Sequence, residues 1–489
     1  MFRSILLSLL TLGTAAVSAL LLLASSLHAA DPARPNILFI CTDDQSYDAL
    51  SHVQKEQGEE GRFPWLQTPN LDHLAAQGVR FRNAFVNNSL CSPSRAVNLT
   101  GRFNHDPGNS IASNFRPFPL RNVTHATLMR DAGYTTAYVG KWHMGSQRER
   151  PGFDYHATYV GHGRYDNCRF IVDGKDVPTK GWVDDVATDY AIEFIKKQKT
   201  SNKPWSLILG FKTPHQPWEP PARAKDLYEG ELARTVPNVN TPPIYWPNPA
   251  RAKKPVPPTM PTNLDYFRCV NAMDDCVGRL LKALDQSGFA SNTLVIFTSD
   301  NGFYLGAHAT GDKRSAYEES LRVPFLVRYP ALGEKASGRV VDEMVLNLDL
   351  ARSLLDFAGV PAPEEMKGQS WRPLLTGEKV SWRQSWFYEY FTEKQKGTRV
   401  PDITAVRTKD AKLVKYPGFP AWTELFDLKA DPYEIRNLIN DPAAALLKEK
   451  MLAEHDRLSR EVDYQVPDFV DRPPDWGKPG SLAGELSDP

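Results

Sequence analysis

Surplus charge is what this chain most plainly lacks: across 489 residues Lys and Arg total 58, and Asp and Glu total 58. Without a long-range field it is not made to gather nucleic acid or to lie on an anionic membrane, so any anion affinity must be local. Cysteine is scarce, at positions 41, 91, 168, 269 and 276. So small and odd a set leaves at least one cysteine unpaired and shows no disulfide framework, and Cys269 and Cys276, about two helical turns or roughly 10 Å apart, are out of bonding reach unless the helix breaks. His and Cys nowhere take zinc-finger or His-x-x-x-His spacing, which leaves soft metals without a site. No internal repeat is present. A composition of 41% hydrophobic and 11% aromatic residues excludes a disordered or fibrous chain.

Long apolar runs are missing too, with one exception. Met1-Phe2-Arg3 is followed by an almost unbroken apolar stretch from Ile5 to Leu23, and small residues precede Asp31. That layout reads as an export signal over residues 1–30, cleaved near residue 30 to give a periplasmic or secreted protein. Left uncleaved, the run approaches the roughly 20 residues of a bilayer span and becomes a membrane anchor.

What the chain does have is a recurring grammar in which a short run of β-formers ends in a polar cluster. Asn36 to Cys41 leads into Thr42-Asp43-Asp44, and Thr135 to Val139 leads into Gly140-Lys141-Trp142-His143. Trp205 to Phe211 leads into Lys212-Thr213-Pro214-His215, and Thr293 to Phe297 into Thr298-Ser299-Asp300-Asn301. Helical patterns lie between them at Pro69 to Gln77, Thr124 to Ala132, Val183 to Lys199 and Asn263 to Ser287. Strands alternating with helices predict an α/β fold with a large, mostly parallel sheet covered by helices on both faces, here over residues 31–380. Val323 to Arg328 and a helix from Glu343 to Ala358 close this core. Residues 381–489 predict a smaller C-terminal antiparallel sheet plus a helix from Pro442 to Ser459 and a Pro-rich tail, with Asp431-Pro432 as a turn. In parallel sheets ligands bind beyond the carboxyl ends of the strands, so the four clusters can meet on one rim.

The most specific stretch is Cys91-Ser92-Pro93-Ser94-Arg95 followed by Leu99-Thr100-Gly101-Arg102. A C-x-P-x-R pattern arises by chance at about one start in eight thousand. With Thr100-Gly101-Arg102 behind it, the stretch resembles the formylglycine-dependent (type I) sulfatases of the alkaline-phosphatase-like superfamily, and the likeness runs over about residues 34 to 460. The resemblance implies that Cys91 is oxidised to 3-oxoalanine (formylglycine) by a formylglycine-generating maturation enzyme. Pro93 suits the first turn of a helix, which places Cys91 just before its N-terminus with free backbone N–H groups aimed at an anion.

Asp43, Asp44, Asp300 and Asn301 offer hard oxygen ligands, and adjacent buried acids call for a cation. The resemblance implies Ca2+, or Mg2+, held by these four residues and the modified Cys91. It also implies the supporting roles. Arg95 holds the hydrated aldehyde, Lys141 bridges it to sulfate, His143 takes a proton during sulfate release, and His215 and Lys313 bind sulfate and serve the leaving oxygen. Trp142, Trp218, Tyr304, His308 and Arg314 stand beside these positions as candidate sugar platforms or anionic subsites.

The expected activity is hydrolysis of sulfate esters on a sulfated carbohydrate or polysaccharide. Three other readings stay open: an aryl sulfatase, a phosphodiesterase or phosphonate hydrolase of the same fold, and a catalytically silent glycan-binding protein. Intact Cys91, Arg95, both histidines and both lysines oppose the last.

Overall fold

The computed structural model describes residues 34–246, 254–393, 400–468 and 470. The expected signal segment, most of the Pro-rich tail and the stretches 247–253 and 394–399 lie outside the described residues. Among the described residues no helix is long and apolar enough to cross a membrane.

Ten strands form the main sheet: β1 (Asn36–Thr42), β2 (Val79–Phe81), β3 (Thr135–Lys141), β4 (Tyr155–Tyr159), β5 (Phe170–Val172), β6 (Lys175–Val177), β7 (Trp205–Gly210), β8 (Thr293–Ser299), β9 (Phe325–Arg328) and β10 (Arg339–Val341). Their order is β10-β2-β9-β8-β1-β7-β3-β4-β5-β6. The centre, β8-β1-β7-β3-β4, is parallel throughout, whereas β9 runs antiparallel to β8 and to β2. Every residue of β1, β7 and β8 is buried, as continuous apolar runs covered on both faces require.

Helices α1 (Pro69–Ala76), α2 (Cys91–Thr100), α3 (His125–Asp131), α4 (Val183–Lys197), α5 (Leu264–Ser287) and α6 (Asp349–Ala358) cover that sheet. Local signals set their ends. Thr124 and Thr127 form a reciprocal capping box at α3, Asn263 caps α5 through Asp265 N, and α5 stops at Gly288 in the left-handed region. The helix expected from Glu343 starts only at Asp349. Val345 and Leu346 instead pair with Ala84 and Phe85 as a short parallel ladder, and the Asp349 carboxylate accepts the Leu346 N–H. Edge pairing of two β-formers overrides the helical pattern there.

Parallel register brings the polar clusters together. Thr42 pairs with Ser299, Cys41 and Gly140 both pair with Gly210, and Lys141 pairs with Tyr159. The strand ends therefore lie side by side. At Gly140, with φ +86°, a Cβ would sit 2.0 Å from the Gly210 carbonyl oxygen, so only glycine lets β3 and β7 approach where Lys141 and Lys212 emerge.

Strands β11 (Ser385–Tyr390), β12 (Ile403–Thr408), β13 (Ala411–Lys415) and β14 (Glu424–Asp427) form an antiparallel sheet with helix α7 (Ala445–Glu461) beside it. The Asp431 carboxylate accepts the N–H groups of Ile435 and Arg436, which makes it a turn residue. This sheet supports the site from behind. Trp386, Tyr388 and Tyr390 share an apolar cluster with Phe85, Leu90 and Val97, each fully buried side chain of that size contributing about 1.5–3 kcal/mol.

A buried ion pair adds to this contact: His105 Nδ1 lies 2.6 Å from Glu389 Oε2, and Glu389 Oε1 accepts the Asn104 N–H at 2.6 Å. Burial opposes the charge on His105, but Glu389 outweighs it and raises the imidazole to about 9. A raised folded-state value means that the contribution is complete below the unfolded value near 6.5 and is lost as pH rises through 9. It is on the order of 3 kcal/mol. Urea midpoints measured at about pH 6 and about pH 9.5 should fall in the wild type, with a clearly smaller fall in His105→Gln. Equal falls would show that this pair adds nothing.

Candidate active site

Cys91, expected just ahead of a helix, is instead the first residue of α2, with Leu90 as an extended N-cap. The predicted cradle of free N–H groups is largely absent. The Ser92 N–H is taken by Asn114 Oδ1, Pro93 has none, and the Ser94 N–H goes to the Leu90 carbonyl. Cationic side chains take over the task. Lys313 Nζ lies 3.0 Å from Cys91 Sγ and 2.6 Å and 2.8 Å from the two Asp44 oxygens. Arg95 Nε donates to Asp300 Oδ2 at 2.9 Å, its Nη2 lies 3.3 Å from Asp43 Oδ2, and its Nη1 donates to the Lys141 carbonyl. Lys141 Nζ makes an ion pair with Asp43 Oδ2.

The donor atoms of Asp43, Asp44, Cys91 and Asp300 all lie within 4.8 Å of one another and are buried. Asn301 donates through Nδ2 to Asp44 Oδ1 at 2.7 Å, while its Oδ1 is buried without a hydrogen-bond partner. Hard carboxylate oxygens with an orphaned amide oxygen beside them fit an oxygen-seeking divalent cation. Charge agrees with this. Burial pushes Asp300 up to about 7, with the Asp43 charge adding to it, and burial also raises Asp44 despite Lys313. Burial works against Asp43 as well, yet Lys141, with Arg95 and Lys313, outweighs it and holds that carboxyl well below its usual range. Burial raises the Cys91 thiol strongly, with Asp43 adding to it, so the unmodified side chain is a protonated thiol and a poor nucleophile.

The cluster opens into a cavity of about 790 Å³, whose walls include Asp44, Asn114, His143, His162, His215 and Lys313. Burial and then Lys141 lower His143, and burial and then Lys313 lower His215, so both imidazoles are neutral. His215 Nε2 stands 3.8 Å from Asp44 Oδ2.

The sequence-predicted residues therefore converge, but the proposed sugar platforms do not. Trp142 and Tyr304 are fully buried and His308 is 1% exposed, packed on Tyr317. Trp218 turns its Nε1–H to the Pro214 carbonyl and is not among the cavity walls. Aromatic rings beside a parallel sheet are claimed by its core. Only Arg314 of that group faces the cavity, and it is paired with Asp312 and Glu393. Sequence reasoning missed His162, and it named Lys212 within its rim cluster without giving it a role. The signal for His162 was the turn after β4, because Tyr159 pairs with Lys141.

An acidic cluster at the carboxyl rim of a parallel sheet, facing a residue that opens a helix and ringed by cations, defines a hydrolase of the alkaline-phosphatase-like superfamily. The family model described as Sulfatase matches residues 35–360, and that of the C-terminal part of N-sulphoglucosamine sulphohydrolase matches residues 306–461. This chain belongs to the sulfatase family and is a sulfuric ester hydrolase. It is 31% identical to an N-acetylglucosamine-6-O-sulfatase of Bacteroides thetaiotaomicron, over 89% of this chain and 88% of that one. The human N-acetylglucosamine-6-sulfatase is 26% identical over 84% of this chain and 82% of its own. A solved structure described in complex with its substrate, D-glucosamine-2-N,6-O-disulfate, superposes with a TM-score of 0.78 at 29% identity, covering 90% of this chain and all of that one.

Proposed function

We propose that this enzyme removes sulfate from a sulfated carbohydrate, with 6-O-sulfated glucosamine units as the favoured class, after export and after conversion of Cys91 to formylglycine by a maturation enzyme. The observation that carries the reading is the meeting of Cys91 with Asp43, Asp44 and Asp300 beneath a cavity lined by His143, His215 and Lys313. The names of the relatives support the sugar class, and the apolar N-terminal run supports export.

Asp43, Asp44, Asp300 and Asn301 would hold the cation, Ca2+ or alternatively Mg2+, which supplies positive charge to the sulfate oxygens. The formylglycine hydrate would supply two hydroxyls on one carbon, one to attack sulfur and displace the alcohol, the other to lose its proton and expel sulfate as the aldehyde re-forms. The chain's own groups do the rest. Lys313, 3.0 Å from Sγ, neutralises charge on the residue-91 side chain and beside the sulfate. Arg95, fixed by Asp300, Asp43 and the Lys141 carbonyl, would hold the hydrated aldehyde beside them. Neutral His143 can accept a proton during sulfate release, and His215, on the wall of the same cavity, would serve the leaving oxygen. Removing one such charge-stabilising donor typically costs about 3–4 kcal/mol of transition-state stabilisation.

Three carboxylates and three cations cancel in the site, so a divalent cation and a monoanionic sulfate ester leave it one charge positive. A phosphate monoester dianion would sit there as well, so rates must decide between esters. With the residue-91 peptide lighter by about 18 Da, the matured enzyme is expected to hydrolyse N-acetylglucosamine 6-sulfate faster than an aryl sulfate or a phosphate diester. A diester preference would move the assignment to phosphodiester or phosphonate chemistry.

A further inference from the structure

Three imidazoles, not two, face the substrate cavity, and the third belongs to His162, which no reading of the sequence had singled out. It follows β4 in the turn Val160-Gly161-His162-Gly163, with both glycines in the left-handed region at φ +60° and +64°. Gly163 packs against the Tyr159 ring, where a Cβ would lie 2.7 Å away. Lys212, itself buried, donates to the His162 carbonyl at 3.1 Å and so fixes the turn from below. The ring lies between His143 and His215, with centroids 4.0 Å and 4.2 Å away.

The two ring nitrogens have different surroundings. Nδ1 is 3.1 Å from Lys141 Nζ, and an ammonium only donates, so Nδ1 is the acceptor and the ring proton resides on Nε2. The hydrogen bonds of His162 among the described residues run through Nδ1 and the carbonyl and leave Nε2 for the cavity, of which His162 is a wall.

We propose that His162 contacts the substrate directly, its Nε2–H donating a hydrogen bond to an oxygen of the sulfate ester, with Lys141 setting the tautomer through Nδ1. The proposal rests on the sulfate-ester reading above. Burial, with Lys141 adding to it, lowers His162 far below its ordinary value, so the ring stays neutral. A neutral donor suits this site, where the cations and carboxylates already balance: it binds an oxygen without adding charge. It also explains why an imidazole stands where an added lysine or arginine would repel Lys141.

The test compares three variants of the matured, full-length enzyme on N-acetylglucosamine 6-sulfate. Glutamine places an amide N–H near the position of Nε2, asparagine places its amide near Nδ1, and alanine supplies neither. His162→Ala and His162→Asn should each lose about 10²-fold in kcat/KM, mostly in kcat. His162→Gln should recover at least tenfold of that loss, and the Ca2+-induced rise in Tm should be unchanged in all three. The glutamine-against-asparagine comparison stands even if the alanine variant folds poorly. Recovery in asparagine but not glutamine, equal rates in the two, or an alanine variant within threefold of wild type overturns the proposal. A wild-type enzyme with residue 91 converted yet inert toward every sulfate ester refutes the functional reading instead, and the proposal falls with it.

Discussion

Replacing Cys91 by alanine is expected to abolish sulfate-ester turnover, lowering kcat by about 10⁴- to 10⁶-fold, the range seen when a nucleophile acting as part of a unit is removed. The fold should survive. Cys91 opens α2 with its side chain fully buried, and α2 is held by Leu90 and Val97 in the apolar cluster shared with the C-terminal sheet. Sγ is only 3.5 Å from Asp43 Oδ1 and 3.0 Å from Lys313, contacts that an ion bound to the carboxylates can replace. Cys91→Ser makes the sharper prediction. A single hydroxyl can attack sulfur but has no partner hydroxyl to expel sulfate, so intact mass should reveal a serine sulfate ester that builds up and clears slowly. Steady multiple turnover by the alanine variant would remove residue 91 from the chemistry and refute the assignment.

Cys91 was legible through the motif Cys91-Ser92-Pro93-Ser94-Arg95, and its partners were legible because they sit on strand ends. In a parallel sheet the register aligns those ends, and Thr42, Ser299, Gly210 and Lys141 indeed fall on one rim. The less legible features depend on three-dimensional neighbours. Trp142 and Tyr304 stand next to site residues in the chain, yet packing turned them inward, because a large ring buries more apolar surface against the sheet than against a polar cavity. The N–H groups of α2 seemed free because Asn114, which takes one of them, comes 22 residues after Ser92. His162 was invisible for the opposite reason. β4 is short and partly exposed at its start, so its periodicity is weak, and only its pairing with β3 reveals that the turn after it reaches the site.

The second large effect is expected from Asp300→Asn, which removes a charge and leaves the shape. Asp300 is fully buried, accepts from Arg95 Nε at 2.9 Å and from the Asp44 N–H at 3.3 Å, and shares the cluster with Asp43 and Asp44. Breaking a buried ion pair by removing one partner costs about 3–5 kcal/mol when the survivor is stranded. Arg95 is not stranded, since Asp43 and the Lys141 carbonyl still hold it, so the metal-free variant should lose less than that. The larger loss is in the cation. In the wild type, Ca2+ at a hundredfold excess over its Kd should stabilise the fold by about 2.7 kcal/mol. In Asp300→Asn that increment should nearly vanish, along with about 10³-fold or more of the activity. The sign of the pH effect follows from the same carboxyl. Without a cation its folded value is raised to about 7, so ionising it costs the metal-free protein stability as pH climbs from about 4 to 7. Binding a cation reverses that cost, so the Ca2+-induced rise in Tm should grow across that window and level off above it. Calorimetry on both proteins across the pH range decides the matter: an undiminished calcium response in Asp300→Asn would mean that this carboxylate is not a ligand and that the cluster holds together through Arg95, Lys141 and Lys313 alone.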